Sequence, residues 1–208
     1  NQLEELQQIV ASGDIGEAKK WDAPGVVAIT FDKHLYYPLM SIDRDAGLPL
    51  KMRPLAFDAP SEIQFVTELQ EFVDSRRGQE FIGDKSIYLL RNADTKGKGL
   101  GFALAENFYP DFLLWLVDDA TGEQWLSLID PKGIRQIDLN SGKFGLYKEI
   151  KNYQKEGLNL SSFILSGTPF SDLLNITKTK EDLENANVIF MEDGADVYLE
   201  KIIHGMQA

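Results

Sequence analysis

The sequence predicts an α/β domain with a central mixed sheet that contains an antiparallel β-meander and is flanked by helices. The expected elements from residue 61 onward follow in the order helix, three strands, helix, strand, with a short turn at 118–123 inside the strand run. This order is typical of a compact α/β domain rather than a doubly wound one. The 208 residues and the apolar fraction of 43% are sufficient for one domain with a real core.

Residues 1–58 are expected to form an N-terminal connecting segment, and residues 59–208 the folded domain. A short helix is predicted at 3–20, with a break at Gly13. Prolines and glycines then interrupt short apolar runs, which favours an irregular or short-stranded segment. These residues are Pro24, Pro38, Gly47, Pro49 and Pro54, and Pro60 lies just beyond the segment.

The first helix of the domain is predicted from its ends and from its periodicity. Ser61 followed by Gln64 fits a capping box. Arg76, Arg77 and Gly78 are expected to end the helix. Apolar residues recur at helical spacing between these ends, at Phe65, Val66, Leu69, Phe72 and Val73.

The remaining elements follow from apolar runs and turn residues. Strands are predicted at 86–91, 108–117, 124–130, 160–165 and 188–191, and a helix at 144–155, whereas the segment 195–203 fits either type. The strand at 108–117 is apolar on both faces, which is typical of a central, buried strand.

A candidate site emerges from the register of two strands. If residues 119–122 form a four-residue turn, every cross-strand pair sums to 241, and Asp111 lies opposite Asp130. A bulge at Gly122 would instead shift the register by one. Opposed carboxylates lie roughly 5 Å apart at Cβ. One of them should therefore have a raised pKa, or a cation must lie between them.

Lys132 is expected on the same side of its strand as Asp130, because side chains alternate along a strand. A divalent cation with oxygen ligands, such as Mg²⁺, fits two carboxylates, with Lys132 as a neighbouring positive group. The alternative is structural, since Asp-Pro-Lys-Gly at 130–133 is also a favourable turn sequence.

Glu62 is the third candidate acid. It lies at the centre of the helical stripe formed by Val66, Leu69 and Val73, so its carboxylate is expected to reach the strand-borne site. The alternative is that Glu62 only complements the helix dipole from the first turn.

The net charge of −12 argues against a domain that binds nucleic acid by general charge attraction. The lysines at 148, 151 and 155 share a helix face that is either solvated or in contact with phosphates, and the glycine-rich turn at 95–101 lacks P-loop spacing. The absence of cysteine excludes thiolate chemistry and favours a reducing compartment. We therefore expect a cytoplasmic protein with no membrane span.

Several blocks of the sequence resemble the C-terminal endonuclease domain of type III restriction enzymes and related DEAD/DEAH-box helicase–nuclease proteins. The segment 31–39 is similar to the link between the helicase and nuclease parts. The other blocks are Tyr-Leu-Leu-Arg-Asn at 88–92, Gly-Phe at 101–102, Asn-Phe-Tyr-Pro-Asp-Phe at 107–112, Ile-Asp-Pro-Lys-Gly at 129–133, Ser-Ser-Phe-Ile-Leu-Ser at 161–166 and Asn-Val-Ile-Phe-Met at 187–191. The resemblance covers about residues 31–192.

The resemblance implies a PD-(D/E)XK restriction-endonuclease-like core that hydrolyses DNA with Mg²⁺, or with Mn²⁺ as a substitute. Asp111 and Asp130 would bind the metal, the carbonyl of Pro131 would add a ligand, Lys132 would activate the attacking water, and Glu62 would match the helix acid. Double-stranded DNA would be the substrate. Helicase motifs are absent from the sequence, so an upstream helicase or translocase module, or a modification subunit, is the expected partner. The alternative is a weak or inactive nuclease fold that serves such an assembly as a DNA or protein interaction module.

Overall fold

The computed structural model describes residues 59–92, 110–134, 150, 159–174 and 176–208, together with the backbone of three short N-terminal strands. These strands are β1 (Lys20–Ala23), β2 (Val26–Ile29) and β3 (Leu39–Ile42), and they pair antiparallel in that order. The predicted helix at 3–20 lies outside the described residues except for Lys20, which begins β1. Of the predicted helix at 144–155, only residue 150 is described, and it is helical.

The domain that follows contains the predicted strands, with bounds that differ by a few residues. Its elements are α1 (Pro60–Asp74), α2 (Arg76–Ile82), β4 (Lys85–Arg91), β5 (Phe112–Asp118), β6 (Gln124–Lys132), β7 (Asn159–Ser166), α3 (Lys180–Glu184), β8 (Val188–Phe190) and α4 (Ala195–Met206). Within the described residues, no helix is both long enough and apolar enough to cross a membrane.

The sheet contains five strands in the order β4-β5-β6-β7-β8. β4, β5 and β6 pair antiparallel, whereas β6, β7 and β8 pair parallel. The sheet is therefore mixed and flanked by helices, which confirms the predicted α/β class. Parallel pairing of β6 with β7 requires a crossover connection, and the chain between them, 133–158, is long enough to supply one.

β5 is buried on both faces, as predicted for the strand at 108–117. Phe112, Leu114 and Leu116 point into the main core, which also contains buried residues of α1 and α4. Leu113 points to the opposite face, where it packs with Leu128 and Ile150. Because β5 lies between β4 and β6, its alternate side chains fill two separate apolar layers.

The ends of α1 differ from the prediction. The helix begins at Pro60 after Ala59, and no side chain caps it, so the capping box at Ser61 is wrong. Pro60 is suited to the first position, because that residue needs no N–H partner. The helix ends at Asp74 rather than at Gly78, because Ser75 has extended backbone and starts α2 by accepting a hydrogen bond from the Gly78 N–H at 2.9 Å.

The ambiguous segment at 195–203 forms α4. Its buried residues are Tyr198, Leu199, Ile202, Ile203 and Met206, which is the spacing of one helical stripe. The Tyr198 hydroxyl donates to Glu68 of α1 at 2.6 Å. This bond satisfies the polar atom of a fully buried ring and joins the two helices over the sheet.

Gly78 offers a test of the junction between α1 and α2. A Cβ at this position would collide with the carbonyl oxygen of Phe72. We therefore expect Gly78→Ala to lower the free energy of unfolding by about 2–3 kcal/mol, since the backbone must shift to make room. Urea unfolding measures the effect. Gln79→Ala, at the exposed next position of the same helix, is the control, and equal midpoints for both variants would contradict the close approach.

Candidate functional site

Asp111 and Asp130 lie side by side where β5 begins and β6 ends. β5 and β6 pair with Phe112 opposite Ile129, and the same register carried one residue further sets Asp111 opposite Asp130. The predicted register, in which the numbers of paired residues sum to 241, is therefore confirmed. The Asp111 carboxyl lies close enough to Asp130 to contribute to the raised pKa of Asp130.

The hairpin that sets this register differs in detail from the expected turn. The carbonyl of Asp118, not of Asp119, accepts from the Gly122 N–H at 2.8 Å. The Asp118 carboxylate also accepts from the N–H groups of Ala120 and Thr121. Gly122 has a φ of 74°, which suits glycine, and it closes the four-residue loop without shifting the register.

Asp130 is the buried member of the pair, with 4% of its side chain exposed. Burial raises the pKa of Asp130 to about 7, the Asp111 carboxyl adds to the rise, and the ammonium of Lys132 opposes it. The sequence predicted a raised pKa for one of the two acids, and Asp130 is that acid. A neighbouring negative charge disfavours ionisation of a buried acid. A bound cation would therefore favour the ionised form of the pair.

Lys132 lies on the same side of β6 as Asp130, as strand alternation predicted. Its Nζ contacts the Oδ2 atom of Asp130, while 32% of the Lys132 side chain remains exposed. Lys132 therefore extends from the buried Asp130 carboxylate to the solvent. Pro131 stands between them in β6, level with Leu165 of β7.

Glu62 is buried in the first turn of α1, as expected from the helical stripe. Its carboxylate pairs with Arg91 at the end of β4, with 3.2 Å between Oε2 and Nη2. Arg91 in turn pairs with Asp111, with 3.2 Å between Nη1 and Oδ1. The structure thus links Glu62 to the strand-borne acids through an arginine.

Arg91 belongs to this site, but the sequence alone predicted no role for it. A strand-end arginine has no distinctive spacing, so the available signal was only its position beside Asn92 in one of the resembling blocks. Asn92 contributes to the same arrangement. Its side chain donates to the carbonyl of Pro110 at 2.9 Å, and its backbone N–H donates to the carbonyl of Asp111 at 2.8 Å.

The chemistry of this donor set fits a hard divalent cation. Asp111 and Asp130 are oxygen donors of the type that Mg²⁺ prefers, and Mg²⁺ often binds through only one or two carboxylates while keeping several waters. A third acidic or imidazole ligand is not required for that mode, and the described part of the chain contains no group of three such residues suited to a metal. The two-carboxylate site is therefore compatible with Mg²⁺.

Other sequence candidates lie elsewhere. His204 is an exposed residue of α4. His34, the lysines at 148, 151 and 155 and the turn at 95–101 lie outside the described residues. Comparison of the chain with protein-family models, with curated proteins and with solved structures gave no match.

Proposed function

We propose that this chain is a metal-dependent DNA endonuclease domain that hydrolyses phosphodiester bonds with Mg²⁺, or with Mn²⁺ as a substitute. The observation that carries the proposal is the close pair of Asp111 and Asp130 with Lys132 in contact with Asp130. Paired strand-end acids followed by a lysine two residues later are the arrangement that the PD-(D/E)XK resemblance implies. We propose the restriction-endonuclease-like core on the same grounds, with α1 preceding the three antiparallel strands.

Each residue has a distinct role in the proposed reaction. Asp111 and Asp130 would hold the cation, and the carbonyl of Pro131 would be a further ligand. Bound Mg²⁺ would lower the pKa of a water molecule and neutralise charge on the phosphate. Lys132 reaches solvent, so its ammonium can orient the attacking water and stabilise the negative charge that develops on the phosphate. Asp130 must be ionised to bind a cation, so protons compete with the metal at this residue.

DNA affinity is a separate requirement, because the chain carries a net charge of −12. Binding of a phosphate backbone depends strongly on local positive charge. We therefore propose that the domain acts within a type III restriction-like helicase–nuclease, whose helicase or translocase module or modification subunit supplies most of the affinity for double-stranded DNA. The proposed cellular location is the cytoplasm, where such an assembly meets DNA.

The direct test is nicking of supercoiled plasmid at high protein concentration and low salt, with Mn²⁺ and with Mg²⁺. We expect conversion to open-circle or linear DNA that requires the added metal and stops with a chelator. Asp84→Asn is the matched control, because Asp84 is exposed and lies at the far end of β4, roughly 20 Å from Arg91 at ~3.3 Å per strand residue. Equal nicking by wild type and by Asp111→Asn would contradict the proposal.

A second candidate function is a non-catalytic interaction module of a helicase assembly. The observation that favours it is that Arg91 and Lys132 already pair with Asp111 and Asp130, so the acids have internal counter-charges. Calorimetric titration with Mn²⁺ separates the two. The nuclease proposal predicts binding that Asp111→Asn weakens, whereas an interaction module has no reason to show it.

A further inference from the structure

We infer that Arg91 and Glu62 are positioning residues of this site. Arg91 holds the Asp111 carboxylate against Asp130, and Glu62 acts through Arg91 rather than by direct contact with the cation. The inference rests on the proposed function and assigns these two residues their part in it.

The contacts of Arg91 fix its guanidinium on several sides. Nη1 donates to the main-chain carbonyl of Asp111 at 3.0 Å and pairs with its Oδ1 at 3.2 Å, so one nitrogen restrains both backbone and side chain. Nη2 pairs with Oε2 of Glu62 at 3.2 Å. The guanidinium carbon lies 4.9 Å from the centre of the Phe112 ring, which closes one face. A planar, multidentate group of this kind is not replaced by lysine.

Asp111 needs such a restraint because of where it lies. It precedes β5, so it is outside the strand ladder that fixes Phe112 opposite Ile129. A free Asp111 carboxylate would turn away from the ionised Asp130, because the two charges repel. Pairing one oxygen of Asp111 with Arg91 resists that rotation and leaves the other oxygen for the cation.

Glu62 supplies the anchor for Arg91. Only 7% of its side chain is exposed, and it belongs to the first turn of a 15-residue helix that packs on the sheet. The pairing therefore ties the end of β4 to α1 as well as to Asp111. Loss of the Glu62 charge would remove the pairing that ties Arg91 to α1, so it should weaken the site in the same direction as loss of Arg91.

A merely electrostatic role for Arg91 gives the opposite expectation. A positive charge beside Asp111 competes with a divalent cation, so its removal would tighten metal binding. Positioning predicts weaker binding, because the freed Asp111 must be reordered when the cation binds. The sign of the change in Mn²⁺ affinity thus distinguishes the two roles.

The experiment is calorimetric titration of the purified chain with Mn²⁺ alone. We expect Arg91→Ala to raise the Kd about 10-fold or more, as loss of a residue that orients a metal ligand commonly does. Arg91→Lys should not restore it, and Glu62→Gln should raise it to a smaller extent. Arg76→Ala is the matched control, because Arg76 is 92% exposed and pairs only with Glu80 of its own helix among the described contacts. An unchanged or lower Kd for Arg91→Ala would overturn the inference.

A metal-free measurement separates failure of this inference from failure of the proposed function. If wild type binds no Mn²⁺ through Asp111, the nuclease proposal fails, and positioning is judged by amide hydrogen exchange. The Asn92 N–H bonds the Asp111 carbonyl that Arg91 also holds. Arg91→Ala and Arg91→Lys should both speed its exchange about 10-fold, with the amide of Leu114 in the central strand unaffected. Equal acceleration at both amides, or at neither, would overturn positioning.

Discussion

Asp130→Asn is expected to lower the rate of metal-dependent plasmid nicking by at least roughly 100-fold, since even residues that only support a metal ligand commonly contribute 10- to 100-fold. The substitution keeps the shape of the buried side chain but removes the charge that would hold the cation. The fold should survive, because Ile129 and Leu128 continue to anchor β6 in two apolar layers. The measurement is the initial nicking rate under single-turnover conditions.

Lys132→Met gives the complementary result. This variant keeps Asp111 and Asp130 and retains the length of the side chain, but it lacks the ammonium that contacts Asp130. We expect Mn²⁺ binding to persist while the nicking rate falls by about 100-fold or more, since charge stabilisation in the transition state is lost. Nicking at the wild-type rate by either Asp130→Asn or Lys132→Met would show that the reaction takes place elsewhere.

The stability of the metal-free protein is expected to fall as the pH rises, because the folded pKa of Asp130 is raised to about 7 from the ordinary value of 3.8. The folded state then holds the proton more tightly than the unfolded state. The stabilisation is complete below pH ~4 and is lost as the pH rises through about 7. At about 1.4 kcal/mol per pKa unit, the loss is at most on the order of 4 kcal/mol.

Asp130→Asn isolates this contribution. The neutral amide should stabilise the metal-free protein by roughly 1–3 kcal/mol more at pH 8 than at pH 5, because folded wild type gives up the Asp130 proton between these two pH values whereas the unfolded chain is already ionised. Asp130 is the better choice for this test than Asp111, since it is the buried acid whose pKa is raised. Urea unfolding of both proteins across this pH range measures the difference. A constant difference between them would contradict the raised pKa.

Metal binding should oppose the loss of stability at high pH in the wild type. A cation binds the ionised pair and only in the folded chain, so Mg²⁺ should raise the melting temperature more at pH 8 than at pH 5.5. Asp111→Asn should reduce the gain, while Asp84→Asn should leave it unchanged. A metal-induced shift that depends on neither pH nor Asp111 would rule out a two-carboxylate site.

The register of the hairpin formed by β5 and β6 was predictable from the sequence, because only a few loop types can join antiparallel strands through so short a connection. A four-residue turn at 119–122 was one of two forms the sequence allowed, and the structure closes that loop between Asp118 and Gly122 in the register that sets Asp111 beside Asp130. Strand alternation then placed Lys132 next to Asp130 without further information. The helix boundaries were less predictable. Ser61 is a residue type that often caps helices, but the helix begins at Pro60 without a side-chain cap. Ser75 instead caps the next helix, α2.

The sequence by itself determined the α/β class, the buried central strand, the facing acids and the placement of Glu62 on the buried side of its helix, because these follow from local periodicity and from one short turn. The tertiary structure alone decided which acid is the buried one and which residue stands between Glu62 and Asp111. Arg91 belongs to β4, far along the chain from β6, and only pairing of β4 with β5 and packing of α1 against the sheet bring its guanidinium between the two carboxylates. Long-range contacts of this kind leave no periodic signal in a single sequence.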